Sequence, residues 1–312
     1  MVLGLFRLSF KYAFAVVFVI FSLCGIAFSQ IIPTPQQVDY QDGIFVLNEE
    51  PSFSSKFVKT KIVPQLAVPQ FEEQAYRLTV SKKGIFIEAT TQQGLFYGLQ
   101  SARQLYNYHK NSADATISSV PCQVVLDYPA LQYRGWMDDI SRGPIPTMDF
   151  LKKEIQTMAY YKMNCFTLYT ENVFQYESNQ TASPVDALTA AEIKELEDFA
   201  AGFYVEIIGN QQVFAHAEKF LKNPFYSHLA DTKTNFNPEL EETYTLLYQI
   251  LDEVAKAYKS PLFNINCDET EGLGSGFAKD YVGKVGAGKA YYQHISKMKE
   301  HLDKYGKRTM MW

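Results

Sequence analysis

The chain reads as an α/β protein built on a parallel sheet and preceded by a smaller α+β unit. Three observations carry that reading. From residue 133 onward, short apolar strand-like segments alternate with amphipathic helical ones at regular spacing, the βαβ succession of a parallel sheet. Residues 31 to about 127 have a different rhythm, with strand-like runs joined by a tight turn and a single helical stretch. Polar residues, finally, gather at the carboxyl ends of the later strand-like segments.

The elements follow in order. Arg7 and Lys11 precede an apolar run from Tyr12 to Phe28, and Ala27-Phe28-Ser29 is a small-x-small site, so residues 1–29 read as an export leader. A periplasmic or secreted location is therefore expected, with no membrane span once the leader is removed. In the unit over 30–127, residues 74–80 and 85–89 are strand-like around the turn Ser81-Lys82-Lys83-Gly84. A helical pattern covers 94–105 and a further strand 123–126. Asp127-Tyr128-Pro129 marks the boundary, because proline disfavours helix in the residue before it.

The second unit, 128–312, has strand-like segments at 133–139, 164–170, 204–209, 261–267 and 308–312. Thr147 caps a helix with the apolar stripe Leu151, Ile155, Met158. Thr189 and Glu192 form a capping box, and Asn237-Pro238 supplies a cap and first-turn proline for the next helix. Ala290, Ile295, Met298 and Leu302 stripe the last one, which ends near Gly306. A closed eight-stranded barrel typically takes about 250 residues, so five strands fit either an open sheet or the first part of a barrel.

Composition narrows the function. An apolar content of 47% supports a well-filled core, and a formal net charge of −5 without a basic cluster argues against nucleic-acid or anionic-membrane partners. Beyond the leader, Cys122, Cys165 and Cys267 are too few and too widely spaced for a disulfide framework or a zinc site. There is no HExxH and no GxSxG pattern. The stretch from Gly283 to Lys289 imitates a phosphate loop, but Ala290 stands where Ser or Thr is needed. No metal and no cofactor are expected.

What remains are carboxylates. Asp138, Asp139 and Arg142 follow the first strand of the second unit; Glu171 and Asn172 follow the next. Asn210, Gln211, Gln212 and His216 follow the third, and Asp268, Glu269 and Glu271 the fourth. Paired acids among hydroxyl-binding groups suit glycoside hydrolysis. Adjacent strand residues point to opposite faces, so Asp268 and Glu269 cannot easily flank one glycosidic bond as acid and nucleophile. A reaction in which the substrate supplies its own nucleophile removes that difficulty.

With these residues in view, the chain resembles the β-N-acetylhexosaminidases of glycoside hydrolase family 20. The resemblance runs through Ile31-Ile32-Pro33-Thr34-Pro35, the segment from Gly94 to Gln100, and Asp127-Tyr128-Pro129 followed by Arg134 to Arg142. Met158-Ala159 with Lys162-Met163-Asn164, and Phe263 to Glu269, complete it. It implies a (β/α)8 TIM-type barrel, with only its first five strands present and a small α+β domain in front. It also implies removal of terminal β-linked N-acetylhexosamine from an oligosaccharide or glycoconjugate. Glu269 would then be the general acid/base, and Asp268 would orient the substrate's acetamido group. Arg134 would bind sugar hydroxyls, with Asp139, Glu171, His216 and Trp312 lining the pocket. Family members usually carry His-x-Gly-Gly or His-x-Gly-Ala before the Asp-Glu pair, where this chain has Asn264, Asn266 and Cys267. Those departures leave open a catalytically impaired carbohydrate-binding relative, or a glycosidase of other specificity such as an α-glucuronidase.

Overall fold

A computed structural model describes residues 30–110 and 114–312. The expected leader at 1–29 lies outside the described residues.

Alternation builds the first layer. β1 (Gln37–Leu47), β2 (Val58–Ile62), β3 (Tyr76–Ser81) and β4 (Gly84–Ala89) are followed by helix α1 (Gln92–Tyr108) and β5 (Ser118–Asp127). The five strands form one sheet in the order β1-β5-β3-β4-β2, antiparallel except for β2 beside β4. In β3 every second residue is buried, which is what a half-covered sheet requires. Helix α1 starts on the Thr91 hydroxyl, which accepts from the Gly94 amide. It lies so close to the sheet that a Cβ on Gly98 would sit 2.4 Å from Ile87. Strands β1 and β2 were not expected from the sequence. Both are edge strands with largely exposed residues, so they lack the apolar alternation that signals a strand.

The second layer is the βα succession. It comprises β6 (Gly135–Asp139), α2 (Met148–Tyr160), β7 (Cys165–Tyr169), α3 (Ala190–Ala201), β8 (Glu206–Asn210), the single turn α4 (Glu218–Leu221) and α5 (Glu241–Ala257). Strand β9 (Leu262–Asn264), α6 (Lys279–Val285), α7 (Ala287–Asp303) and β10 (Arg308–Met310) complete it. The strands lie side by side, all parallel, in the order β10-β9-β8-β7-β6. Their carboxyl ends therefore share one edge. The Thr189–Glu192 capping box forms as expected. Asn237 does not cap α5, however. Its side chain accepts from the Glu239 amide at 2.9 Å and stabilises a turn, and the helix begins later, at Glu241.

One cluster of buried apolar side chains runs through both layers, from Leu78 and Tyr97 through Phe166 to Leu302. In the seam, the buried Lys162 ammonium meets Asp127 at 3.3 Å, Tyr76 at 3.2 Å and Ser101 at 3.1 Å, so all three of its donors are used. Cys122, Cys165 and Cys267 are free thiols, all buried. No described helix is long and apolar enough to cross a membrane.

Candidate active site

The tips of β6 and β7 are tied first. Asp139 Oδ1 accepts the backbone N–H groups of Ser141 (3.0 Å) and Arg142 (3.1 Å), which fixes the turn leaving β6. The Ser141 hydroxyl donates to the Tyr169 carbonyl at 3.1 Å and accepts from the Glu171 amide at 2.8 Å. Glu171 is only 2% exposed. A carboxylate so buried needs compensation, and it has two cations: Arg142 Nε at 3.3 Å and Lys219 Nζ at 3.3 Å. Arg142 also faces Asp139 at 3.3 Å and lies over the Tyr169 ring at 4.9 Å. Its contact with Tyr169 raises the guanidinium pKa above its usual value. Burial pushes the Tyr169 phenol up to about 12, so it stays a donor at neutral pH.

Gln212, at the tip of β8, joins this cluster to the acid pair. Its amide donates to Asp268 Oδ1 at 2.9 Å and to the Tyr169 hydroxyl at 3.3 Å. Its carbonyl oxygen accepts from the Cys267 amide at 3.0 Å. His216 completes the chain of contacts, with Nε2 3.7 Å from Asp268 and 3.3 Å from Glu269, distances for an ion pair without hydrogen-bond alignment. The two acids differ in exposure: the Asp268 side chain is 28% exposed and that of Glu269 67%. Among the described residues, no cluster of His, Cys, Asp and Glu could hold a metal ion.

The acid pair does not sit on a strand, contrary to the expectation that strand continued to residue 267. Strand β9 stops at Asn264 because the backbone then turns left-handed, with φ of 59° at Asn266, 64° at Cys267 and 49° at Glu269. Non-glycine residues reach this region only at a cost, on the order of 1 kcal/mol or more each. The kink changes the geometry assumed from the sequence but still does not set the two acids on either side of a glycosidic bond. Off the strand, Asp268 and Glu269 no longer point to opposite faces, and both carboxylates reach the same imidazole. Buried amides pin its base: Asn266 and Asn210 exchange two hydrogen bonds, at 2.9 and 3.0 Å, and both side chains are fully buried.

Asp139, Glu171 and His216 thus join Asp268 and Glu269 in one network. Trp312 reaches it through its backbone, whose N–H donates to the Asn266 carbonyl at 3.1 Å, while the side chain is largely exposed. Arg134 does not join them. It precedes the first residue of β6, and five residues of strand, about 17 Å at 3.3 Å each, separate it from the Asp139 tip. Its guanidinium donates to the carbonyls of Lys162 (2.9 Å) and Leu131 (2.8 Å), and to Gln74 Oε1 at 2.8 Å, in the seam with the first sheet. Arg142 is the arginine at the site. Position relative to the ends of the strand was the available signal, since only residues after β6 can reach the carboxyl edge. Gln212 was visible as a polar tip residue, but nothing in the sequence revealed its bridging role.

Two family models match the chain: glycosyl hydrolase family 20, domain 2, over residues 53–128, and the catalytic domain of the same family over residues 131–312. The chain belongs to glycoside hydrolase family 20. The β-hexosaminidase of Akkermansia muciniphila is 28% identical over 233 residues, covering 65% of this chain and 46% of that protein. The β-hexosaminidase of Porphyromonas gingivalis is 26% identical over 255 residues, 72% of this chain and 32% of that protein. Among solved structures, the chitobiase of Flavobacterium johnsoniae superposes with a TM-score of 0.76 at 20% identity, covering 91% of this chain and 52% of that one. The family 20 exo-β-N-acetylglucosaminidase of Vibrio harveyi, in complex with N-acetylglucosamine, gives 0.74 at 20% identity, with 91% and 55% covered. The chain spans half or less of the length of these curated relatives. The fold is that of a family 20 TIM-barrel catalytic domain behind a small α+β domain. By the resemblance drawn from the sequence, Asn266 and Cys267 stand where Gly-Gly or Gly-Ala usually precedes the Asp-Glu pair. Both are left-handed, the conformation glycine adopts without strain.

Proposed function

We propose that this protein is an exported β-N-acetylhexosaminidase that removes terminal β-linked N-acetylhexosamine from oligosaccharides or glycoconjugates, with the substrate as nucleophile. Glu269, the more exposed acid, gives its proton to the leaving glycosidic oxygen. The acetamido carbonyl oxygen of the substrate attacks the anomeric carbon as that C–O bond breaks. Asp268, held by Gln212, accepts from the acetamido N–H and keeps the group aligned. Water then opens the oxazolinium and returns a proton to Glu269, leaving the sugar with its original configuration. Arg142, half-exposed beside Asp139 and Glu171, supplies the guanidinium fork for sugar hydroxyls.

The observation that carries this reading is the convergence of Asp268 and Glu269 on His216 at the carboxyl edge of the parallel sheet. That edge is where (β/α) sheets hold their chemistry. Hydrolysis of an aryl β-N-acetylglucosaminide by the purified chain is expected, falling at least about 100-fold in Glu269→Gln. Binding of N-acetylglucosamine without turnover would instead make the chain a carbohydrate-binding relative. Equal cleavage of an aryl sugar lacking the acetamido group would point to another glycosidase specificity. The export part rests on the charged, apolar and small-residue pattern of residues 1–29. N-terminal sequencing of the expressed protein tests it, with Gln30 expected as the first residue.

A further inference from the structure

The kink that carries the acid pair is strained, and such a backbone persists only when its surroundings hold it. Beside the Asn210–Asn266 pair, one helix contributes contacts to the kink. The Tyr291 hydroxyl donates to the carbonyl of Cys267, the residue before Asp268, at 2.8 Å. His294 Nε2 donates to the carbonyl of Val213, the residue after Gln212, at 3.1 Å. The Phe214 ring lies against both, stacked on His294 with centroids 3.9 Å apart and on Tyr291 at 5.8 Å.

We propose that Tyr291 and His294, one turn apart on the same face of α7, are positioning residues that pin the tips of β9 and β8 and so hold Asp268 and Gln212 together. The proposal rests on the reading of Asp268 and Glu269 as the acting pair. Both side chains also pack, His294 fully buried on α7 with Ala290, Met298 and Leu302 and Tyr291 against the core, so what singles them out is the polar atom each aims at a strand tip. Neither anchor changes its protonation near neutral pH: burial holds the Tyr291 phenol above its usual value. Burial holds the His294 pKa down near about 3, so its ring stays neutral, with Nε2 as the donor to Val213. Without the pins, the Asn210–Asn266 pair still holds the base of the kink, but Cys267 and Glu269 lose a restraint against the negative φ that L-residues prefer, and the acids shift away from His216.

Hydrogen–deuterium exchange with steady-state kinetics on the whole chain tests this. In Tyr291→Phe, which keeps the ring and removes one hydroxyl, amides of residues 265–270 should exchange about tenfold faster while the first sheet is unchanged. With an aryl β-N-acetylglucosaminide, kcat should fall about tenfold and KM stay within about twofold. In His294→Leu the faster exchange should move to residues 211–216. Unchanged exchange at both tips, or a rise spread evenly over both sheets, overturns the proposal. So does faster exchange with kcat intact in a chain that hydrolyses the substrate. If the unmodified chain does not hydrolyse it and the local exchange pattern still appears, the pins stand and the proposed reaction falls.

Discussion

At the amino end of β6 the Arg134 guanidinium donates to backbone carbonyls, to Gln74 and to Tyr97, and no carboxylate faces it within ion-pair distance among the described residues. At the carboxyl end Arg142 faces Asp139 and Glu171 and keeps half of its side chain in solvent. The two arginines bracket one strand, yet their partners differ in kind. Carbonyls and amides take up the N–H donors and lock a seam between layers. Carboxylates balance the charge but leave donors free for a ligand. The residue type alone does not separate a structural arginine from a ligand-facing one; the strand end from which it departs does.

Substitutions at these two positions should part the roles. Arg142→Ala is expected to lower kcat/KM about 100-fold, roughly 3 kcal/mol of transition-state stabilisation, measured on an aryl β-N-acetylglucosaminide. An unchanged kcat/KM would erase the contrast. Arg134→Ala should leave kcat/KM within about twofold and lower the unfolding free energy by about 2 kcal/mol, read from urea denaturation. A loss of activity without loss of stability would return Arg134 to the site.

The smallest expected effect concerns the helix-facing side of the same strand. Glu154 of α2 lies near Asp138 with Oε2 buried and without a hydrogen-bond partner. Burial first, and the charge of Asp138 second, push its pKa from the ordinary 4.5 up to about 7. Because the folded protein binds this proton more tightly than the unfolded chain, the stabilisation is complete below about pH 4.5 and fades as pH rises toward 7. Unfolding midpoints recorded from pH 5 to 7.5 should fall less steeply in Glu154→Gln than in the unmodified protein. Parallel profiles would show that the carboxyl is solvated after all.

The parallel-sheet architecture and the edge that holds the acids were legible because buried strands and amphipathic helices leave strong periodic signals. Residues 164–170 and 204–209 lie close to β7 and β8 for that reason. Edge strands β1 and β2 left none, since exposed residues follow no apolar rhythm. The left-handed kink was hidden for another reason. Periodicity reports which face is buried and says nothing about the sign of φ, so Ile265 and Cys267, both buried, continued the apparent strand. Arg134 and Arg142 share one motif, and the motif alone does not show that they stand at opposite ends of β6.

The reciprocal bonds between Asn210 and Asn266 have a consequence for inheritance. Each carboxamide offers its oxygen to the other's nitrogen, forming a closed uncharged ring at the carboxyl edge of the sheet, between the tips of β8 and β9. Aspartate at either position would set oxygen against oxygen, and an aliphatic residue would strand its partner's donor and acceptor away from water. Neither position can drift alone, so in a lineage that preserves this fold the two should vary jointly.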